Sequence, residues 1–179
     1  MAPDAFDSDR LGNSDIYVMP VGGGEPRQVT ADPSYDFAPT WSPDGKELAF
    51  FSWRNESRDV FVVPAGGGGE VMAAGGPNME RHPNWGPDGQ RIVYAGDATG
   101  RIGLFTVVRG PDGRWRAPRQ LTQQGGSNGP WSPDGRSIVY LRGGSVWVIA
   151  TDGRRLYFTA ADREADFKVM EVKLAHSPR

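Results

Sequence analysis

Ser127 stands in Gly125-Gly126-Ser127-Asn128-Gly129, the G-x-S-x-G spacing that in hydrolases lifts a serine nucleophile onto a strained strand-to-helix turn. That chemistry needs a general base, and the only histidines are His82 and His176. It also needs a helix after the serine, whereas Pro130, Trp131 and a strand pattern follow. A glycine-rich loop is the simpler reading, and no catalytic residue is assigned. His82, in Arg81-His82-Pro83-Asn84-Trp85 at the start of an extended run, reads as a structural imidazole, and His176 lies in a polar tail.

Asp7, Asp9 and Asp15 offer oxygen ligands of the kind calcium takes. However, Asp15 returns as Asp59 and Asp166, each just before the same strand pattern, so a hairpin role explains it. No metal and no cofactor is expected. The absence of cysteine removes thiol nucleophiles, disulfides and cysteine metal sites together. Arg114-Trp115-Arg116 could stack on bases or carboxylates, but one basic hairpin on a chain of net charge −2 reads as solvated surface. The same charge argues against nucleic-acid or membrane-surface binding, which rests on a basic face. No apolar run approaches the roughly 20 residues that cross a bilayer. The N-terminus has neither the basic start nor the apolar stretch of a secretory signal.

The elements that would carry these residues come from a repeat. Trp41-Ser42-Pro43-Asp44-Gly45 returns as Trp85-Gly86-Pro87-Asp88-Gly89, as Trp131-Ser132-Pro133-Asp134-Gly135 and, reduced, as Thr151-Asp152-Gly153. Trp85 follows Trp41 by 44 residues and Trp131 follows Trp85 by 46, close to the period of about 40–45 for four-stranded propeller blades. In each repeat a short inner strand ends at the tryptophan, and proline and glycine mark a turn. Strands over 46–52 and 59–63 follow, with a weak outer strand over 70–72. Residues 91–94, 104–107 and 119–122 repeat that order, as do 137–140 and 146–149.

The ends differ. Ala5–Met19 overlays Ala49–Val63 without a gap, so the opening piece enters a blade at its second strand. At the other end two pairings stay open. Residues 155–159 are either the outer strand of the third full blade, leaving a last strand free to close a ring with the first blade, or the second strand of a new blade. The expected fold is all-β: a β-propeller of four-stranded antiparallel blades, about four blade equivalents, incomplete or open. It forms one module over 1–179, with a partial blade at 1–30, blades at 36–73 and 80–122, a shortened blade at 127–159 and a terminal strand at 160–179. Open blade edges leave room for self-association. Trp41, Trp85 and Trp131, with Asp44, Gly45, Asp88, Gly89, Asp134 and Gly135, are framework. Each buried indole stabilises by at most about 5 kcal/mol. The variable slots before the inner strands, Asp36, Phe37, Glu80, Arg81, His82, Ser127 and Asn128, form the candidate binding surface, because loops on a rigid scaffold carry recognition.

With Phe37–Phe50 and Ser8–Met19 as its clearest copies, the repeat resembles the TolB-like β-propeller, a WD-type repeat of bacterial envelope and peptidase-associated propellers. The resemblance implies a non-catalytic scaffold binding a protein or peptide partner in the periplasm or another extracytoplasmic space. Its alternative is the gating propeller of a prolyl oligopeptidase-like or tricorn-like serine peptidase, whose catalytic domain is separate. The chain then reads as a fragment or shortened member.

Overall fold

Short β-branched and aromatic runs, cut by glycine, proline and aspartate, fold into antiparallel meanders. The computed structural model describes residues 3–151 except Asn55, Thr99, Gln124 and Asn128, and the backbone of 155–161 and 167–173. The first sheet holds β1 (Asp4–Ser8), β2 (Asp15–Met19) and β3 (Arg27–Gln28). The second holds β4 (Asp36–Trp41), β5 (Glu47–Ser52), β6 (Asp59–Pro64) and β7 (Val71–Ala74). The third holds β8 (Glu80–Trp85), β9 (Arg91–Gly96), β10 (Gly103–Val108) and β11 (Arg119–Gln120). The fourth holds β12 (Ser137–Arg142), β13 (Ser145–Ala150), β14 (Arg155–Ala161) and β15 (Phe167–Lys173). The architecture is all-β, with no helix among the described residues and no closed sheet, as in an incomplete or open propeller.

The fourth sheet bears on the ring closure that the sequence left open. β14 pairs with β13, and β15 pairs with β14 from Arg155↔Lys173 to Ala161↔Phe167. The terminal strand therefore extends its own sheet and does not join β1. On the inner side, Gly126, Gly129 and Pro130 shorten the ladder to two bridges, Ser127↔Leu141 and Trp131↔Ile138.

One cross-strand aromatic pair recurs in every sheet: Phe6–Tyr17, Phe50–Phe61, Tyr94–Phe105 and Tyr140–Trp147, with ring centroids 6.0, 5.9, 5.8 and 6.4 Å apart. In the last three sheets this face meets aliphatic side chains of the preceding sheet. Phe50 and Phe61 pack with Ile16, Val18 and Val29; Tyr94 and Phe105 with Val60 and Val62; Tyr140 with Val93 and Leu104. The repeat tryptophans close the same seams. Trp41 Nε1 donates to the Pro3 carbonyl (2.7 Å) and Trp131 Nε1 to that of Asn84 (3.1 Å). Trp85 instead packs on Trp115 at 5.7 Å. Trp115 is therefore not solvated hairpin surface: Arg109 lies over both rings and pairs with Glu47 across the seam at 2.8 and 3.0 Å.

The turns after the inner strands repeat atom by atom. Ser42 Oγ donates to Asp44 Oδ1 (2.7 Å), Glu47 N donates to Ser42 Oγ (3.0 Å) and Gly45 N donates to the Ser42 carbonyl (2.9 Å). Ser132, Asp134, Gly135 and Ser137 do the same. The serine hydroxyls hold the Asp44 and Asp134 carboxyls below the usual carboxylate range.

Two inner strands carry a bulge at the residue before proline. The register slips between Phe37 and Thr40 and between Arg81 and Asn84, and Ala38 and His82 take φ of 51° and 52°. A Cβ in that region is strained, whereas glycine is not. Ala38→Gly is expected to stabilise the chain by about 0.5–1 kcal/mol once the entropy of glycine is subtracted. A urea midpoint below that of the parent chain would rule out this account.

Candidate functional site

Backbone register decides which of the predicted slots are equivalent. Phe37 faces Phe51, Arg81 faces Ala95 and Ser127 faces Leu141, so these three share one slot. Asp36 and Glu80 share the slot before it, opposite Ser52 and Gly96, and in the fourth sheet Gly126 takes that place. The sequence alignment of slots is thus off by one residue there, because the proline lies directly before Trp131 instead of two residues before it. Asn128 and His176 lie outside the described residues.

Asp36 and Glu80 are not loop groups on a surface. Asp36 is fully buried and Glu80 is 5% exposed. Arg54 reaches both Asp36 oxygens at 3.3 Å, Asp32 at 3.6 Å and Glu70 at 2.5 Å, while its Nε donates to Ser52 Oγ at 2.7 Å. Its guanidinium also lies 4.5 Å over the Phe61 ring. Burial pushes the Asp36 carboxyl up to about 6, with Ser52, Thr30 and Arg54 pulling the other way. Glu80 has no such cation. Two residues beyond its partner Gly96 stands Ala98, where Arg54 stands two beyond Ser52. Its Oε2 has no hydrogen-bond partner. Burial, then the charges of Asp59 and Asp97, push its carboxyl up to about 7.

Arg54, Asp32 and Glu70 escaped the sequence reading. A signal was present, since Ser8-Asp9-Arg10 overlays Ser52-Trp53-Arg54. The structure repeats it: Arg10 Nε donates to Ser8 Oγ at 3.2 Å and the guanidinium lies 4.5 Å over Tyr17.

Phe37, Arg81, His82 and Ser127 do reach the surface, wholly or in part. His82 is exposed, its ring edge-on to Phe51 at 5.7 Å. It is not a buried structural imidazole, because the bulge turns it outward. Partial burial, then the charges of Arg81 and Arg58, hold it below its ordinary value. Ser127 exchanges both backbone hydrogen bonds with Leu141 at 3.0 Å, so it belongs to a strand ladder and not to a nucleophile elbow. Among the described residues no hydrogen bond joins a serine to a histidine, and no group of three or more His, Asp or Glu is disposed to hold a metal ion. Asp15 and Asp59 close their own hairpins, Asp15 through Gln28 and Asp59 through Ser57 and Gly76. At the opposite end of the inner strands a polar cleft of about 380 Å³ opens between the turns at Asp44 and Asp88, beside the Glu47–Arg109 pair.

The leading end of the inner strands thus presents part-exposed side chains and, among the described residues, no assembled catalytic group. The fold has close counterparts. A TolB from Agrobacterium tumefaciens superimposes with TM-score 0.74 at 24% identity, over 96% of this chain and 62% of that one. TolB from Acinetobacter baumannii gives 0.69 at 14%, over 96% and 49%. A puromycin-hydrolyzing peptidase of Mycobacterium tuberculosis gives 0.62 at 17%, over 90% and 31%. The chain thus spans less than two thirds of these structures. No curated protein matches it in sequence. The TolB beta propeller domain family matches residues 4–157, the stretch that contains all three Trp-x-Pro-Asp-Gly repeats, and the chain belongs to that family.

Proposed function

We propose that this chain is a non-catalytic scaffold that recognises a protein partner in an extracytoplasmic space, through the leading ends of its inner strands. The observation that carries this reading is the contrast within each repeat. Seams and turns follow one plan, whereas the part-exposed slot at Phe37, Arg81 and Ser127 changes chemistry from sheet to sheet. A fixed frame bearing variable exposed groups suits recognition. Hydrogen-exchange footprinting with a partner captured from the cell envelope tests it. Amides near Phe37, Arg81 and Ser127 should slow on binding. Protection confined to the turns at Asp44, Asp88 and Asp134, or turnover of aminoacyl p-nitroanilides by the purified chain, would sink the reading.

A second reading has the same fold acting as the gate of a longer serine peptidase, supported by the fold shared with the puromycin-hydrolyzing peptidase. A hydrolase domain encoded in frame beside this segment would favour it, and its absence would remove it.

A further inference from the structure

The leading end of β4 and the trailing end of β5 carry more aromatic surface than the repeat needs. Tyr35 and Trp53 are 49% and 51% exposed, although their backbones pair at 2.9 Å as the last rung of the ladder. Because side chains alternate along a strand, Tyr35 and Phe37 share a face with Phe51 and Trp53. The rings are contiguous: Tyr35 stacks on Phe37 at 6.2 Å, Phe37 meets Phe51 at 5.5 Å, and Phe51 meets His82 at 5.7 Å. Soluble surfaces seldom leave such a patch without a binding role, and tyrosine and tryptophan are the residue types that dominate binding energy.

Two arginines stand on this shelf, with Asp7 at its margin, where its Oδ1 accepts the Ala38 N–H at 3.0 Å. Arg58 lies 4.9 Å over the Trp53 ring, and Arg81 flanks His82. Neither arginine forms an ion pair among the described residues. The nearby Asp97 accepts the Met79 N–H at 2.8 Å. On a chain of net charge −2, these two guanidiniums leave donors open at the edge of the aromatic shelf. A stacked guanidinium keeps its in-plane N–H groups for a carboxylate, which it can hold by two parallel hydrogen bonds.

Resting on the scaffold reading, we infer that the shelf formed by Tyr35, Phe37, Trp53, Arg58, Arg81 and His82 binds a partner protein through an acidic segment bearing an aromatic or aliphatic side chain. The apolar side chain lies on the rings while its flanking carboxylates meet Arg58 and Arg81. Single-stranded nucleic acid also uses rings and cations, but two arginines on a net-negative chain cannot follow a phosphate backbone.

The full 179-residue chain is titrated against a fluorescein-labelled peptide of sequence Ser-Glu-Phe-Glu-Leu-Ser, its lysine counterpart Ser-Lys-Phe-Lys-Leu-Ser, and labelled oligothymidylate. The acidic peptide should bind by anisotropy, the lysine peptide at least tenfold more weakly, and added salt should loosen the complex. Arg58→Glu and Trp53→Ala should each raise Kd more than tenfold with the thermal midpoint unchanged. Arg119→Glu, on the outer edge strand β11, should leave Kd as it was. Equal binding of the two peptides, indifference to Arg58→Glu, tighter binding of oligothymidylate, or no binding of the acidic peptide overturns the inference. A footprint at Phe37 and Arg81 alongside any of those results would remove the acidic partner while leaving the scaffold in place.

Discussion

Arg54→Met leaves the chain about 3–5 kcal/mol less stable at pH 8, because it strands buried carboxylates without their cation. Methionine keeps contact with Phe50 and Phe61, so the loss reports charge more than packing. Arg54 serves Asp36, Asp32 and Glu70 together, and Asp36 has no solvent to turn to. The effect should depend on pH in a set direction. The folded pKa of Asp36 is already raised to about 6 and rises further without Arg54, while in the unfolded chain it returns to about 3.9. A raised carboxyl costs stability above its folded pKa and ceases to do so as pH falls toward the unfolded value. The deficit of the variant should therefore shrink between pH 8 and pH 5. Urea unfolding at both values checks this, and a deficit that is flat or larger at pH 5 would be inconsistent with a stranded carboxylate.

Glu80→Gln should do the opposite and stabilise the chain by about 2–3 kcal/mol at pH 8. Glu80 is buried with an unpartnered oxygen beside Asp59 and Asp97, and its carboxyl is pushed up to about 7. In the folded chain it holds a proton between its unfolded value, near 4.3, and about 7. The parent is therefore at full strength below that window, loses stability progressively as pH rises across it, and has lost the whole of that contribution once pH passes about 7. Glutamine carries no proton to lose, so the two chains should be equally stable near pH 4, diverge from about pH 5 and reach their full separation above about pH 7. Parallel curves across that range would show that Glu80 ionises freely in the native state.

The frame was readable because it is periodic. Strands read at 46–52, 59–63 and 91–94 appear as β5, β6 and β9, each within a residue or two at either end. Period-2 alternation and turn residues act locally, and local signals survive in a linear sequence. Depth was less legible. Asp36 and Glu80 sit beside half-buried Phe37 and Arg81, and alternation sends one neighbour inward and the other out. Composition marks all four as polar or aromatic loop residues, so burial of Asp36 emerges only once Arg54 closes over it from just past the end of the paired strand β5. Trp115 shows the same limit, since nothing in Arg114-Trp115-Arg116 announces a ring folded back on Trp85.

Every seam described above joins sheets that are neighbours in sequence, from Ile16 against Phe50 to Leu104 against Tyr140. A chain emerging from the ribosome can therefore complete each of these interfaces once the next three strands have cleared the exit tunnel. Its nascent state is then a growing stack in which no blade waits for a distant partner, as in other repeat arrays whose units touch only their neighbours.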